Sequence, residues 1–203
     1  MFKSINKVIR TMIFSDLALL FGWGLVTPIL AIFIVQNIKG GDAQVAGIAV
    51  GIYWLVKSIL QVPLANWLDK IEGEIDDYYA LISGTLLASL VPLGFIFASL
   101  PWHMYALQGV HSLGMALAIP SWAAIFTRHI EDGKEALSWS LDSSALGVGT
   151  GVAGIIGGSL VEVVGFNSLF VGVSVLGLIA TLILLLIRKD IIPKKHVFPM
   201  PKP

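Results

Sequence analysis

Six stretches of this chain are each long and apolar enough to cross a lipid bilayer, and that requirement governs what it can fold into. A helix needs about 20 mostly apolar residues to traverse roughly 30 Å of hydrocarbon. The stretches run from about Met12 to Val35, Val45 to Leu68, Tyr78 to Ser99, Met104 to Phe126, Leu137 to Val164 and Phe166 to Ile187. The third and sixth hold no charged residue. Short connectors, punctuated by Gly40-Gly41-Asp42, Pro101 and Gly165, make consecutive helices antiparallel neighbours in a membrane bundle. The expected fold is an all-α integral membrane protein with one domain. It comprises an N-terminal segment (1–11), six transmembrane helices (12–187) and a tail (188–203).

Composition agrees with that expectation and narrows the chemistry. Of 203 residues, 56% are hydrophobic and 13% charged, against roughly 25% charged in soluble domains. Mean hydropathy is +0.86. Thirteen basic and thirteen acidic residues balance, so nothing suggests a nucleic-acid partner. There are no cysteines, which excludes disulfides and thiolate metal sites. The four histidines lack metal-ligand spacing, and no cofactor or metal is expected.

Basic residues set the orientation. Lys3, Lys7, Arg10, Lys70, Arg128, Lys134, Arg188, Lys189, Lys194, Lys195 and Lys202 all fall on one side of a six-span chain. The other side has Lys39, and Lys57 lies inside a helix. Positive charge stays cytoplasmic, so both termini are expected inside a cell (inner) membrane. The basic start also resembles a signal peptide, but its apolar run is too long and no A-x-A site follows.

At an offset of 92 residues the halves correspond. Gly22, Pro28 and Ala31 in the first helix align with Gly114, Pro120 and Ala123 in the fourth, and Gly73 aligns with Gly165. The first and fourth helices point in opposite directions, which makes this a three-plus-three inverted repeat, a pattern associated with transport sites at the repeat interface. Gly and Pro are common in transmembrane helices, so a chance match is the competing explanation.

Three segments make the chain resemble one six-helix half of a major facilitator superfamily transporter. The loop Ala65-Asn66-Trp67-Leu68-Asp69-Lys70-Ile71-Glu72-Gly73-Glu74 is similar to the family pattern G-x-x-x-D-[RK]-x-G-[RK]-[RK]. It departs from that pattern at Ala65, at an extra Glu72 and at Glu74, where a basic residue belongs. The fifth helix carries Gly147, Gly149, Gly151, Gly154, Gly157 and Gly158, similar to the family's G-x-x-x-G-P-x-x-G-G but with Ala153-Gly154 at its centre. Gly147, Gly151, Gly154 and Gly158 share one helical face that permits close approach of a neighbour. The third segment, Gly22-Trp23-Gly24-Leu25-Val26-Thr27-Pro28, resembles the family's first helix.

The resemblance implies secondary active transport of a small solute by alternating access. Since full members have twelve helices, it also implies a second six-helix half. A second copy in a parallel homodimer is the simplest source, with the second helix of one copy facing the fifth of the other. Asp69 would then cap the partner's fifth helix near Leu137 and Ser138. Half of a heterodimer, or a fragment of a longer transporter, are alternatives.

Intramembrane charges are expensive and suggest function. Those singled out are Asp16 in the first helix, Lys57 in the second and Asp142 in the fifth. Tyr53, Lys57 and Gln61 share one helical face, as do Gln108, His111 and Trp122 on the fourth helix and Asp16, Trp23 and Thr27 on the first. The family's first and fourth helices line the central cavity, so the resemblance makes Trp23, Thr27, Gln108, His111 and Trp122 substrate candidates, joined by Tyr53 and Gln61. Asp16 is the first choice for proton coupling, because a carboxyl withdrawn from water can exchange a proton during transport. Lys57, Asp142 and Asp69 are the other coupling or gating candidates, with Lys57 and Asp142 pairing across the dimer interface. Bland roles compete for each: solvation near the headgroups for Asp16 and Asp142, helix capping for Asp142 with Ser138, snorkelling for Lys57 and packing for His111.

An intramembrane protease would need a G-x-S-G nucleophile and a facing histidine, and Ser83-Gly84 lacks that context. Water channels need paired N-P-A motifs, which are absent. A non-transporting assembly subunit would use the same six helices. The expected partners are a small solute, membrane lipid and a second copy of the chain.

Overall fold

The computed structural model describes residues 5–71 and 73–191. Its helices are α1 (Lys7–Val26), α2 (Leu30–Asn37), α3 (Ala43–Leu68), α4 (Ile75–Phe97), α5 (Pro101–Arg128), α6 (Glu135–Leu185) and α7 (Arg188–Ile191). Among the described residues, five helical stretches are long and apolar enough to cross a membrane. Lys3, Glu72, Lys194, Lys195 and Lys202, which carry part of the loop and orientation argument, lie outside the described residues.

The first expected span is two helices. Pro28 has no N–H and its ring clashes with the preceding turn, so regular hydrogen bonding stops there. Thr27 N–H and hydroxyl both donate to the Trp23 carbonyl, at 2.9 and 2.8 Å, and α2 resumes at Leu30. The helix also begins earlier than expected, at Lys7, where the Asn6 side chain accepts from Val8 N–H at 2.9 Å. Pro63, Pro92 and Pro120 lie inside α3, α4 and α5 without ending them. Asp42 caps α3 by accepting from Val45 N–H at 2.8 Å, and Pro101 opens α5 at a position where its missing N–H costs nothing.

The last 51-residue helical stretch reverses at Gly165, whose φ of 77° and ψ of 164° are not helical. Two sets of contacts require the reversal. Before Gly165, Gly149, Ala153 and Gly157 lie in turn against Leu17, Gly24 and Leu25, so this half runs parallel to α1. After it, Val173 lies at Gly22 and Ser15 hydroxyl donates to the Ala180 carbonyl at 2.9 Å, so this half runs antiparallel to α1. A straight helix advances 1.5 Å per residue and could not bring Ala153 and Val173 to the same level.

Small residues set how closely the helices approach. A Cβ at Gly157 would lie 2.6 Å from the Leu25 carbonyl oxygen, and one at Gly114 would lie 2.8 Å from the Gly84 carbonyl oxygen. The stripe expected to bind a neighbour, Gly147, Gly151, Gly154 and Gly158, meets nothing within 4 Å among the described residues. The opposite face, Gly149, Ala153 and Gly157, packs on α1 instead. That assignment corrects the expectation for any neighbour inside this chain, because i, i+4 spacing specifies a face and not which side the bundle lies on.

The halves share local features at the 92-residue offset. Gly73 and Gly165 both take positive φ, 106° and 77°. Gly22 packs on Val173 and Leu176, while its counterpart Gly114 packs on Gly84 and Ala88. Leu176 and Gly84 are themselves 92 residues apart, so the two contacts exchange under the same offset.

Candidate functional site

Two adjoining cavities lie mainly among α1, α3, α5 and α6, with Leu30 of α2 closing the first and Leu81 and Thr85 of α4 the second. The first, about 240 Å³, is lined by Trp23 and Thr27 from α1 and its break, Tyr53 and Trp54 from α3, and Gln108 and His111 from α5. The second, about 330 Å³, takes Asp16 from α1, Lys57 from α3, Trp122 from α5 and Asp142 from α6. Leu20, Tyr53, Trp54 and Met115 line both.

In the first cavity the aromatic side chains stack on one another. The His111 ring lies parallel to Trp23, 3.7 Å between centroids at 6°, and near-parallel to Tyr53, 4.5 Å at 24°. Trp23 meets Phe95 edge-on at 6.5 Å. Ser112 hydroxyl lies 2.6 Å from the Gln108 carbonyl and 3.0 Å from the Tyr53 carbonyl, which ties α5 to α3 at this level. His111 Nδ1 and Gln108 Oε1 are buried without a hydrogen-bond partner among the described residues. Buried polar atoms are nearly always paired in folded proteins, so such orphans at a cavity mark where a ligand's polar groups could bind.

Charge is concentrated in the second cavity. Asp142 is 5% exposed, and its Oδ1 has no partner among the described residues. Asp16 lines the same space. Lys57 Nζ lies 4.0 Å from the centroid of the Trp54 ring and 5.6 Å from that of Tyr53, an arrangement favourable to a cation. No ion pair within 4 Å joins Lys57 to either aspartate among the described residues. Trp122 Nε1 is another buried atom without a partner, and its ring stacks on Phe126 at 4.4 Å.

The structure therefore brings together Trp23, Thr27, Tyr53, Gln108 and His111 in one cavity, and Asp16, Lys57, Trp122 and Asp142 in the next. Gln61 lines neither. Asp69 lies apart, exposed at the C-terminus of α3. Asp142 is seven residues into α6, too far to cap its start, and Lys134 holds the cap position. Lys57 and Asp142, expected to pair across a dimer interface, line a common cavity of one chain. Trp54 is a lining residue the sequence argument missed; its i, i+3 spacing from Lys57 was the available signal.

A second charged cluster lies at the α4–α5 end of the bundle. Arg128, in the last turn of α5, pairs with buried Asp77 in the first turn of α4 and reaches Glu74 at 4.0 Å. Both charges have the sign that their helix ends favour. His129 Nδ1 lies 3.7 Å from Glu74, and Asn6 donates to the His129 carbonyl at 3.2 Å, joining the start of α1 to the cluster. Lys7 pairs with Asp190 of α7 at 2.8 Å. Glu74 and Asp77 thus find basic partners inside the chain, although Glu74 stands where the family pattern has a basic residue.

Comparison with known proteins bears on the whole scaffold. No curated protein matches the chain. The sequence profile of the Major Facilitator Superfamily matches residues 12–202, nearly all of its length. A match of that extent, on a bundle of membrane-length helices around lined cavities, shows that the chain belongs to the Major Facilitator Superfamily of membrane transporters.

Proposed function

We propose that this chain moves a small solute across a cell membrane by alternating access, working as a homodimer of six-helix halves with proton coupling through Asp16. The observation that carries the proposal is the paired cavities, whose walls come from all of α1–α6 and hold the unpartnered atoms Gln108 Oε1, His111 Nδ1, Trp122 Nε1 and Asp142 Oδ1. Proteins of this family are transporters rather than enzymes, and the site's polar groups suit binding and release of a solute.

In this reading the chain crosses six times, α1 with α2 forming one span and Gly165 separating the fifth from the sixth, with both termini cytoplasmic. The exchange of the Gly22 and Gly114 contacts at the 92-residue offset supports a three-plus-three inverted repeat. The open face of Gly147, Gly151, Gly154 and Gly158 supports a second copy, because small residues let membrane helices approach closely. That copy would meet the exposed side of α3, where Leu55, Ile59 and Val62 stand.

Uptake into proteoliposomes under an imposed proton gradient tests the proposal. Gradient-driven accumulation is expected from the wild type and is lost in Asp16→Asn, while downhill exchange persists. Equal gradient-driven accumulation by the variant would remove Asp16 from coupling. Absence of any transport by the reconstituted chain would favour an assembly subunit.

A further inference from the structure

We propose that the second cavity receives a monovalent organic cation, an amine or quaternary ammonium with an apolar body, on the carboxyls of Asp16 and Asp142. The inference rests on the transport reading of the same site and adds the charge of its substrate.

Charge balance is the first argument. Two acids and one base line the cavity, so its ionised side chains sum to one negative charge. Lys57 does not cancel either acid by contact: its ammonium lies over Trp54, with no carboxylate within ion-pair range among the described residues. Among the described residues Asp142 Oδ1 is unpartnered, and Asp16 accepts no hydrogen bond. Isolated charge in a low-dielectric setting is costly, so a ligand supplying one positive charge gains more here than a neutral one.

The remaining walls say what should surround that charge. Tyr53, Trp54 and Trp122 offer aromatic surface, which attracts cations, and Leu19, Leu20 and Ile119 offer aliphatic surface for an apolar body. At about 330 Å³ the space is at the small end of ligand pockets, which span about 300–1,000 Å³. An anion would face two carboxylates against one ammonium. If protons instead neutralised both acids, Lys57 would be the sole charge and the preference would invert. The sign of the preferred ligand therefore decides the question.

The test uses the full chain in lipid nanodiscs and two probes of similar size and opposite charge, benzyltrimethylammonium and phenylmethanesulfonate. Binding is followed by tryptophan fluorescence, since Trp54 and Trp122 line the cavity. Saturable binding of the cation is expected, with the anion at least about tenfold weaker. Asp142→Asn and Asp16→Asn are each expected to weaken the cation about tenfold, the scale of one charge-assisted hydrogen bond. Lys57→Gln should strengthen it. Thermal melts confirm that each variant is folded, and either aspartate variant alone suffices if the other does not fold. Preference for the anion, equal binding of both probes, or no saturable binding of either would overturn the inference. Proteoliposomes that transport a neutral or anionic solute while ignoring the cation would sink it and leave the transport reading standing. Cation binding without transport of any solute would do the reverse.

Discussion

Among single residues, Asp142 and Asp77 are opposites in how their carboxylates are partnered. Both are buried acids in helices, but Asp77 is paired with Arg128 whereas Asp142 presents an unpartnered oxygen to a cavity. Arg128→Ala leaves the Asp77 carboxylate without its donor, so it should destabilise the fold by about 1–3 kcal/mol. In a double-mutant cycle, adding Asp77→Asn should recover part of that loss, and additive losses would mean that the pair is not coupled. Intramembrane charge made Asp16, Lys57 and Asp142 legible from sequence, because its cost demands a reason. The Arg128–Asp77 pair was not legible, since 51 positions separate the two residues and only the docking of α4 on α5 brings them together. The stacking of His111 on Trp23 and Tyr53 was likewise hidden: their shared faces were readable on each helix, but the register between helices was not.

For whole helices, two glycines on adjoining turns of α6 should behave oppositely. Gly157→Val drives a side chain into the Leu25 backbone and should lower the melting temperature sharply, because backbone cannot move aside cheaply. Gly154→Val points into open space within the chain, so the monomer should keep its stability while the proposed dimer weakens in chemical cross-linking. If both variants melt alike, the assignment of the two faces is wrong. Gly165→Ala should cost about 1–3 kcal/mol, the usual scale for a backbone conformation essentially confined to glycine. Span positions were readable from hydropathy to within a few residues. The break at Pro28 was not, because Pro120 sits at the matching position and leaves α5 helical. Proline removes a donor everywhere, and whether the helix yields depends on the packing around it.

The molecule as a whole combines a family scaffold readable from sequence with exposed faces on which the proposed dimer depends. The exposed face of α3 and the open glycine face of α6 are the surfaces a second copy would cover. Cysteines at Leu55 in one copy and Ile155 in another, both strongly exposed, should cross-link across the dimer in mixed reconstitutions, whereas a pair at Lys57 and Asp142 can no longer discriminate between chains. The central claim is that the cavities open alternately to the two sides of the membrane. Because the chain has no native cysteine, Leu20→Cys, which lines both cavities, gives a single reporter. In oriented vesicles a membrane-impermeant thiol reagent should label it from either side, and a saturating substrate should shift the ratio of the two rates. Labelling from one side only, under every condition, would contradict alternating access.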